Sequence, residues 1–124
     1  MSSYKNLLLQ REESLSEFKF YGIEPQSNAQ AVMLDIRLGN GNSQAFAYSY
    51  LTKVNFNPSE GIQIFAVDMC ILLRGRNLNA IYSYLLMHRL TYIQENIGEL
   101  DEVAENDVFV ESIEVRNLKD MELE

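Results

Sequence analysis

The pattern of apolar and polar residues first predicts a β-hairpin formed by residues 32–38 and 45–51. Side chains of opposite character alternate in both segments, as they do when one face of a strand lies on a core. The four residues between them, Gly39-Asn40-Gly41-Asn42, tolerate the positive φ values of a tight turn. Val32, Leu34, Ile36 and Leu38 are expected to face the core, and Phe46, Tyr48 and Tyr50 share one face of the returning strand.

A different periodicity follows Cys70 and predicts one long helix over residues 78–96. Apolar residues recur there at three- and four-residue spacing, which places them on one broad helical face. Asn77 is expected to cap the helix N-terminus, and Gly98 suits the left-handed position just past the helix end. The residues expected to be buried are Leu78, Ile81, Leu85 and Ile93.

The predicted helix is apolar nearly all round, because Met87 and Leu90 lie off its main stripe. A helix of this kind is usually covered on more than one side. We therefore predict an interface at Met87 and Leu90, with a second copy of the chain or with another protein.

The remaining segments complete the expected fold class, which is α+β. A weak helix is predicted at 4–18, and short strands are predicted near 18–23, 53–56, 62–66, 71–74 and 109–116. Short connections favour antiparallel pairing, so we expect a small antiparallel, curled sheet packed by the long helix of the C-terminal half. A pleckstrin-homology-like partial barrel is one candidate topology. The chain is expected to be a single domain over 1–124, with 1–18 and 99–124 as appendages.

Charge is distributed unevenly and bears on the class of partner. The net charge is −8, yet residues 1–98 carry eight acidic and eight basic residues, whereas residues 99–124 carry ten acidic and two basic ones. An acidic chain repels nucleic acid and anionic lipid, so neither is expected as a partner. Because the sequence also lacks a long apolar run and a signal-peptide pattern, a cytoplasmic location is expected.

Residues that could carry out catalysis or bind a metal are few. Cys70 is the only cysteine and His88 the only histidine, so neither a disulfide within the chain nor a multi-histidine metal site is expected. The apolar context of Cys70 indicates a buried, unreactive thiol. The sequence contains no glycine-rich phosphate loop and no metalloprotease or serine-hydrolase motif. We therefore expect no enzymatic activity and no cofactor.

A small-anion site is the main chemical alternative. Arg74, Arg76 and Asn77 lie just before the predicted helix, whose first turn offers unpaired N–H groups and a partial positive charge. Two guanidinium groups at such a position could bind phosphate or a nucleotide. The other interpretation is that Gly75 permits a sharp strand-to-helix turn while both arginines pair with surface carboxylates.

Several segments between residues 20 and 95 carry a resemblance to known proteins. They are Phe20-Tyr21-Gly22-Ile23-Glu24-Pro25, Tyr48-Ser49-Tyr50-Leu51 and Gly75-Arg76-Asn77-Leu78, followed by Tyr82, Leu85, Arg89, Ile93 and Glu95. In these segments the chain resembles a family of small, uncharacterised bacterial proteins with no assigned function. The resemblance implies a bacterial origin and no particular activity. The expected function is a non-enzymatic accessory or protein-interaction domain, with anion or nucleotide binding as the alternative.

Overall fold

The computed structural model describes residues 20–98 and 104–122. Its strands are β1 (Tyr21–Ile23), β2 (Met33–Arg37), β3 (Ser43–Ala47), β4 (Leu51–Asn57), β5 (Gly61–Ala66), β6 (Met69–Arg76), β7 (Leu90–Gln94) and β8 (Phe109–Asn117). A 3-10 turn (Tyr48–Tyr50) joins β3 to β4, helix α1 (Asn79–Leu86) joins β6 to β7, and helix α2 (Leu118–Glu122) follows β8. The chain is therefore mostly β.

The strands form two four-stranded sheets. The first sheet has the order β1-β7-β2-β3, and the second has the order β4-β5-β6-β8. All neighbours are antiparallel except β2 and β7, which run parallel because the long connection through the second sheet and α1 lies between them. The expectation of one small antiparallel sheet is therefore wrong.

One apolar core lies between the two sheets. Side chains alternate along the strands, so each sheet contributes one face to this core. Leu34 and Ile36 come from the first sheet, Ile64 and Ile71 come from the second, and all four are fully buried. Helix α1 contributes Leu78 at its N-terminal boundary and then Ile81 and Leu85.

The expected α+β class, with a long helix packed on the sheet, is wrong, because the helix ends after eight residues at Leu86. Asn77 does not cap it: its own φ is +57°, and the capping position belongs to Leu78, which makes no side-chain capping bond. At the other end, His88 adopts a φ of +55° and turns the chain back. A left-handed residue at this point cannot continue an α-helix.

Strand β7 occupies the second half of the predicted helix and explains the error. Leu90 and Ile93 are both fully buried although three positions separate them, a spacing typical of a helix. The pairing of β1 with β7 shifts register between Gly22 and Ile23, and such an irregularity disturbs the two-residue period of a strand. The pattern therefore indicated the buried positions but the wrong secondary structure.

The predicted hairpin is confirmed as β2 and β3, although its second strand spans Ser43–Ala47 and not 45–51. The two strands pair antiparallel without a register shift, from Met33 opposite Ala47 to Arg37 opposite Ser43. Leu34 and Ile36 face the core as expected, whereas Val32 is 78% exposed because the strand begins only after it. Tyr48 is buried, and Tyr50 is exposed because the 3-10 turn interrupts the alternation.

The predictions for the two ends of the chain are confirmed only in part. The last strand is confirmed as β8, and helix α2 follows it within the segment expected to be an appendage. The weak helix predicted at 4–18 and the first residues of the acidic segment, 99–103, lie outside the described residues. Within 20–98 and 104–122, no helix has the length and apolar character needed to cross a membrane.

Candidate functional site

Strand β3 presents a row of backbone hydrogen-bonding groups at the edge of the first sheet. Tyr48 N donates to Val32 O at 3.0 Å, and Leu38 N donates to Asn42 O at 2.8 Å. Hydrogen-bonded and non-hydrogen-bonded pairs alternate in an antiparallel ladder, so Gln44 and Phe46 also direct their backbone groups toward β2. The N–H groups of Ser43, Ala45 and Ala47 and the C=O groups of Ser43 and Ala45 consequently point away from the sheet, whereas the C=O of Ala47 belongs to the N-cap of the 3-10 turn. We call this row the β3 edge.

The other three outer strands have features that discourage pairing with another chain. Strand β1 has only three residues and a register shift, β4 has a register shift beside Lys53, and β8 has a register shift and several charged side chains. Short length, bulges and charge are the usual protection of exposed strands. Strand β3, with the sequence Ser-Gln-Ala-Phe-Ala, has no charge, no proline and no register shift.

An apolar groove of about 560 Å³ adjoins the β3 edge. It lies between β3, the 3-10 turn and the turn that connects β5 to β6. Tyr50 and Val67 are more than 60% exposed beside it, although each is large and apolar. An exposed apolar surface of this kind is typical of an interaction site. The groove is lined by Met33, Ala45, Phe46, Ala47, Tyr50, Ala66, Val67, Asp68 and Met69.

The turn beside the groove contains a strained residue. Ala66 pairs with Met69, so Val67 and Asp68 form a two-residue connection, and Val67 has a φ of +51°. A β-branched residue disfavours this conformation, at a cost of about 1–3 kcal/mol. The hairpin therefore presents an apolar side chain where glycine or asparagine would fit with less strain.

Of the residues that the structure describes, Asp68 is the only charged one that lines the groove. Its backbone carbonyl accepts a hydrogen bond from Leu118 N at 2.8 Å, which ties the turn to helix α2. Among the described residues, its carboxylate has no ion-pair or hydrogen-bond partner. The groove is thus apolar with one negatively charged position at the turn.

The three residues of the predicted anion site have different neighbours in the structure. Arg74 lines a different, polar cleft of about 540 Å³ that also includes Glu60 and Glu111. The guanidinium carbon of Arg76 lies 5.0 Å from the ring centre of Phe109. Two carboxylates around Arg74 disfavour an anion there.

Asn77 has a structural contact in place of the predicted anion contact. Its side-chain nitrogen donates to Glu105 O at 2.9 Å and to Asp107 O at 2.8 Å, and so holds the loop before β8. Phosphate binding at this turn stays a prediction.

The predicted interface residues differ in their accessibility. Leu90 is fully buried in β7 within its own chain and has no exposed surface to offer a partner. Met87 is 47% exposed at the end of α1, where its carbonyl accepts a hydrogen bond from Gln30 Nε2 at 3.4 Å. Leu90 therefore offers no surface to a partner in this fold, and an interface at Met87 stays a prediction.

Cys70 is fully buried in β6, as its apolar context predicted. Burial raises the pKa of its thiol, and the nearby Arg116 lowers that pKa by a smaller amount. Because the thiolate is the reactive form, the folded protein holds this thiol in an unreactive state. Within 20–98 and 104–122, no group of three or more histidine, cysteine or acidic residues is arranged to hold a metal ion.

We expect Cys70 to react with a thiol reagent at least about 100-fold more slowly in the native protein than in urea, because burial limits both access and ionisation. The measurement is the rate of colour development with an aromatic disulfide reagent. The Cys70→Ser variant, which has no thiol, controls for hydrolysis of the reagent. Equal rates with and without urea would contradict burial of the thiol.

Tyr48, His88 and Arg89 have structural contacts. The Tyr48 hydroxyl donates to Leu90 O at 2.8 Å, and its ring stacks on His88 with 4.7 Å between ring centres. Arg89 donates from a terminal nitrogen to Glu24 O and stacks near Tyr84. These contacts join β7 and α1 to neighbouring loops, which accounts for the His88 and tyrosine positions without a ligand.

Sequence reasoning placed β3 in a hairpin but did not identify it as a site. The sequence feature that marks the site is the absence of charge in Ser43–Ala47. This feature indicates an interaction site only once β3 is known to lie at the edge of the sheet. The groove residues come from three separate segments, and their meeting depends on the arrangement of the two sheets. Comparison with protein-family models, with curated proteins and with solved structures found no match to this chain.

Proposed function

We propose that this chain is a non-enzymatic protein-interaction domain that binds an extended segment of another protein by strand addition. The bound segment pairs with the β3 edge and places apolar side chains in the adjoining groove. The observation that carries the proposal is the contrast among the outer strands: β3 has no charge and no register shift, whereas β1, β4 and β8 each pair with a register shift, and β4 and β8 also carry charged side chains.

Strand addition uses both features of the surface at once. The outward N–H groups of Ser43, Ala45 and Ala47 and the outward C=O groups of Ser43 and Ala45 supply hydrogen bonds that any extended backbone can match. Each such bond contributes about 0.5–1.5 kcal/mol net, and burial of apolar side chains adds about 25 cal/mol per Å². A segment opposite β3 runs beside the groove, because Ala45 and Ala47 belong to the β3 edge and also line the groove. After the entropy cost of association, micromolar affinity is expected.

The test selects random eight-residue peptides, displayed on phage, against wild-type protein and against Ala45→Pro. Proline removes the outward N–H and fits an outer strand at this position, because Ala45 makes no hydrogen bond to β2. Ala45→Ser keeps the N–H and is the matched control. Wild type and Ala45→Ser should enrich the same apolar, extended sequences, and their synthetic peptides should bind Ala45→Pro at least about tenfold more weakly.

Amide hydrogen exchange then locates the bound peptide. Binding should slow exchange at Ser43, Ala45 and Ala47, whereas the amides of Gln44 and Phe46 already pair with β2 in the free protein. If Ala45→Pro loses its fold, Ala45→Lys replaces it, since a lysine on an outer strand also discourages pairing. Failure of the wild type to enrich any sequence relative to both variants would refute strand addition at β3.

A further inference from the structure

We infer that the groove selects segments in which a large apolar side chain lies next to a lysine or arginine, which pairs with Asp68. This inference rests on the proposed strand addition at β3 and specifies the chemistry of the partner. It follows from the apolar composition of the groove, the adaptable methionine side chains that line it and the position of its one carboxylate.

Shape alone gives this groove little power to discriminate among apolar side chains. At about 560 Å³ it has room for an aromatic side chain or for more than one aliphatic side chain. Met33 of β2 and Met69 of β6 both line it, and methionine adapts to many shapes. Surfaces built in this way bind a range of apolar groups. Discrimination among apolar segments must therefore come from the polar group of the lining.

That polar group is Asp68, and its surroundings favour a cation. Its carboxylate is exposed and has no partner among the described residues, and no basic side chain lines the groove. A lysine or arginine in the bound segment gains an ion pair there, whereas an aspartate or glutamate meets a like charge. The pair lies at the surface, so each effect should change affinity by only about two- to fivefold and should weaken with salt.

Val67 sets the position of this charge relative to the apolar surface. Its left-handed conformation closes the two-residue turn so that the apolar side chain and the carboxylate adjoin each other at the end of the groove. An asparagine at this position adopts the same φ with less strain but removes the apolar contact. Val67→Asn should therefore weaken binding of all enriched peptides without altering their preference for a basic residue.

The experiment repeats the peptide selection on wild type, Asp68→Asn and Asp68→Lys. Peptides enriched on the wild type should be rich in lysine and arginine next to an apolar residue. The bias should disappear on Asp68→Asn and change to aspartate and glutamate on Asp68→Lys. For one synthetic wild-type peptide, replacing its basic residue by glutamate should weaken binding to wild type about fivefold or more and strengthen binding to Asp68→Lys.

The outcomes separate this inference from the function on which it rests. Enrichment on the wild type with no charge bias, or with a bias that Asp68→Lys does not alter, overturns the role of Asp68 and leaves strand addition standing. Absence of enrichment relative to Ala45→Pro overturns both. The last measurement is sedimentation equilibrium of wild type and Ala45→Pro. A stable wild-type dimer that Ala45→Pro dissociates would show that a second copy of the chain occupies the β3 edge. That result would overturn the inference that the partner is a segment of another protein with a basic residue.

Discussion

Replacing Glu95 by alanine should lower the free energy of unfolding by about 3–5 kcal/mol, because it leaves two backbone N–H groups without an acceptor. Glu95 Oε1 accepts a hydrogen bond from Gly39 N at 2.6 Å, and Oε2 accepts one from Ile113 N at 2.7 Å. Gly39 follows β2 in the first sheet, and Ile113 belongs to β8 in the second. The carboxylate thus links the two sheets that enclose the core.

The backbone around Glu95 makes the same connection. Glu95 N donates to Arg37 O at 2.8 Å, and Asn96 N donates to Val110 O at 2.9 Å. Because these bonds fix the main chain, the Glu95 side chain is already oriented in the folded protein and loses little additional entropy when it binds both amides. Loss of the Glu95 carboxylate should therefore lower the free energy of unfolding by nearly the full cost of leaving the two N–H groups without an acceptor.

Urea denaturation of wild type and Glu95→Ala provides the measurement. Glu114→Ala is the matched control, because Glu114 is exposed and its ion pair with Arg116, at 2.8 Å, joins two residues of the same strand. A surface pair of this kind contributes about 0–1 kcal/mol. If the two variants lose similar stability, the link between the sheets does not depend on Glu95.

Local sequence signals predicted the parts of the fold that are themselves local. The hairpin of β2 and β3 follows from alternation and from a turn rich in glycine and asparagine, and both are contained within about fifteen consecutive residues. Strand β8 was likewise recognisable from its own alternation. The buried residues Ile81, Leu85 and Ile93 were also identified correctly, since burial follows hydrophobicity whichever secondary structure forms.

The fold class failed where tertiary structure decides the local conformation. Residues 90–94 are read as helix from spacing alone, but they form a strand between β1 and β2, which lie more than fifty residues earlier in the chain. Thr91, Tyr92 and Ile93 have side chains that favour strands, and pairing on both sides satisfies their backbone groups. No single window of sequence contains this information.

The candidate site depended on the same long-range information. Arg74, Arg76 and Asn77 are close in sequence, and each has different neighbours: Arg74 lines a polar cleft, Arg76 lies over the Phe109 ring, and Asn77 binds the loop before β8. Conversely, Phe46 and Val67 are distant in sequence and share the groove. Exposure of an uncharged strand is what marks the site, and exposure is set by the order of strands in the sheet.

Substituting Gly61 by alanine should cost at least about 3 kcal/mol, more than the same change at Gly41, although both glycines have a positive φ. The values are +115° for Gly61 and +93° for Gly41, so alanine is disfavoured by its own backbone at either position. A Cβ at Gly61 would lie 1.9 Å from Leu73 O, whereas nothing lies within 4 Å of a Cβ at Gly41. The difference between the variants therefore isolates the steric contact.

The obstacle at Gly61 is backbone and cannot rotate away. Leu73 pairs with Ile62, so relief of the clash requires β5 and β6 to separate at the start of their ladder. Separation would expose Ile62 and Leu73, which are buried. Urea denaturation of the two variants should show a loss of about 1–2 kcal/mol for Gly41→Ala and a larger loss, or failure to fold, for Gly61→Ala. Equal losses at the two positions would mean that β5 approaches β6 less closely at Gly61 than these distances state.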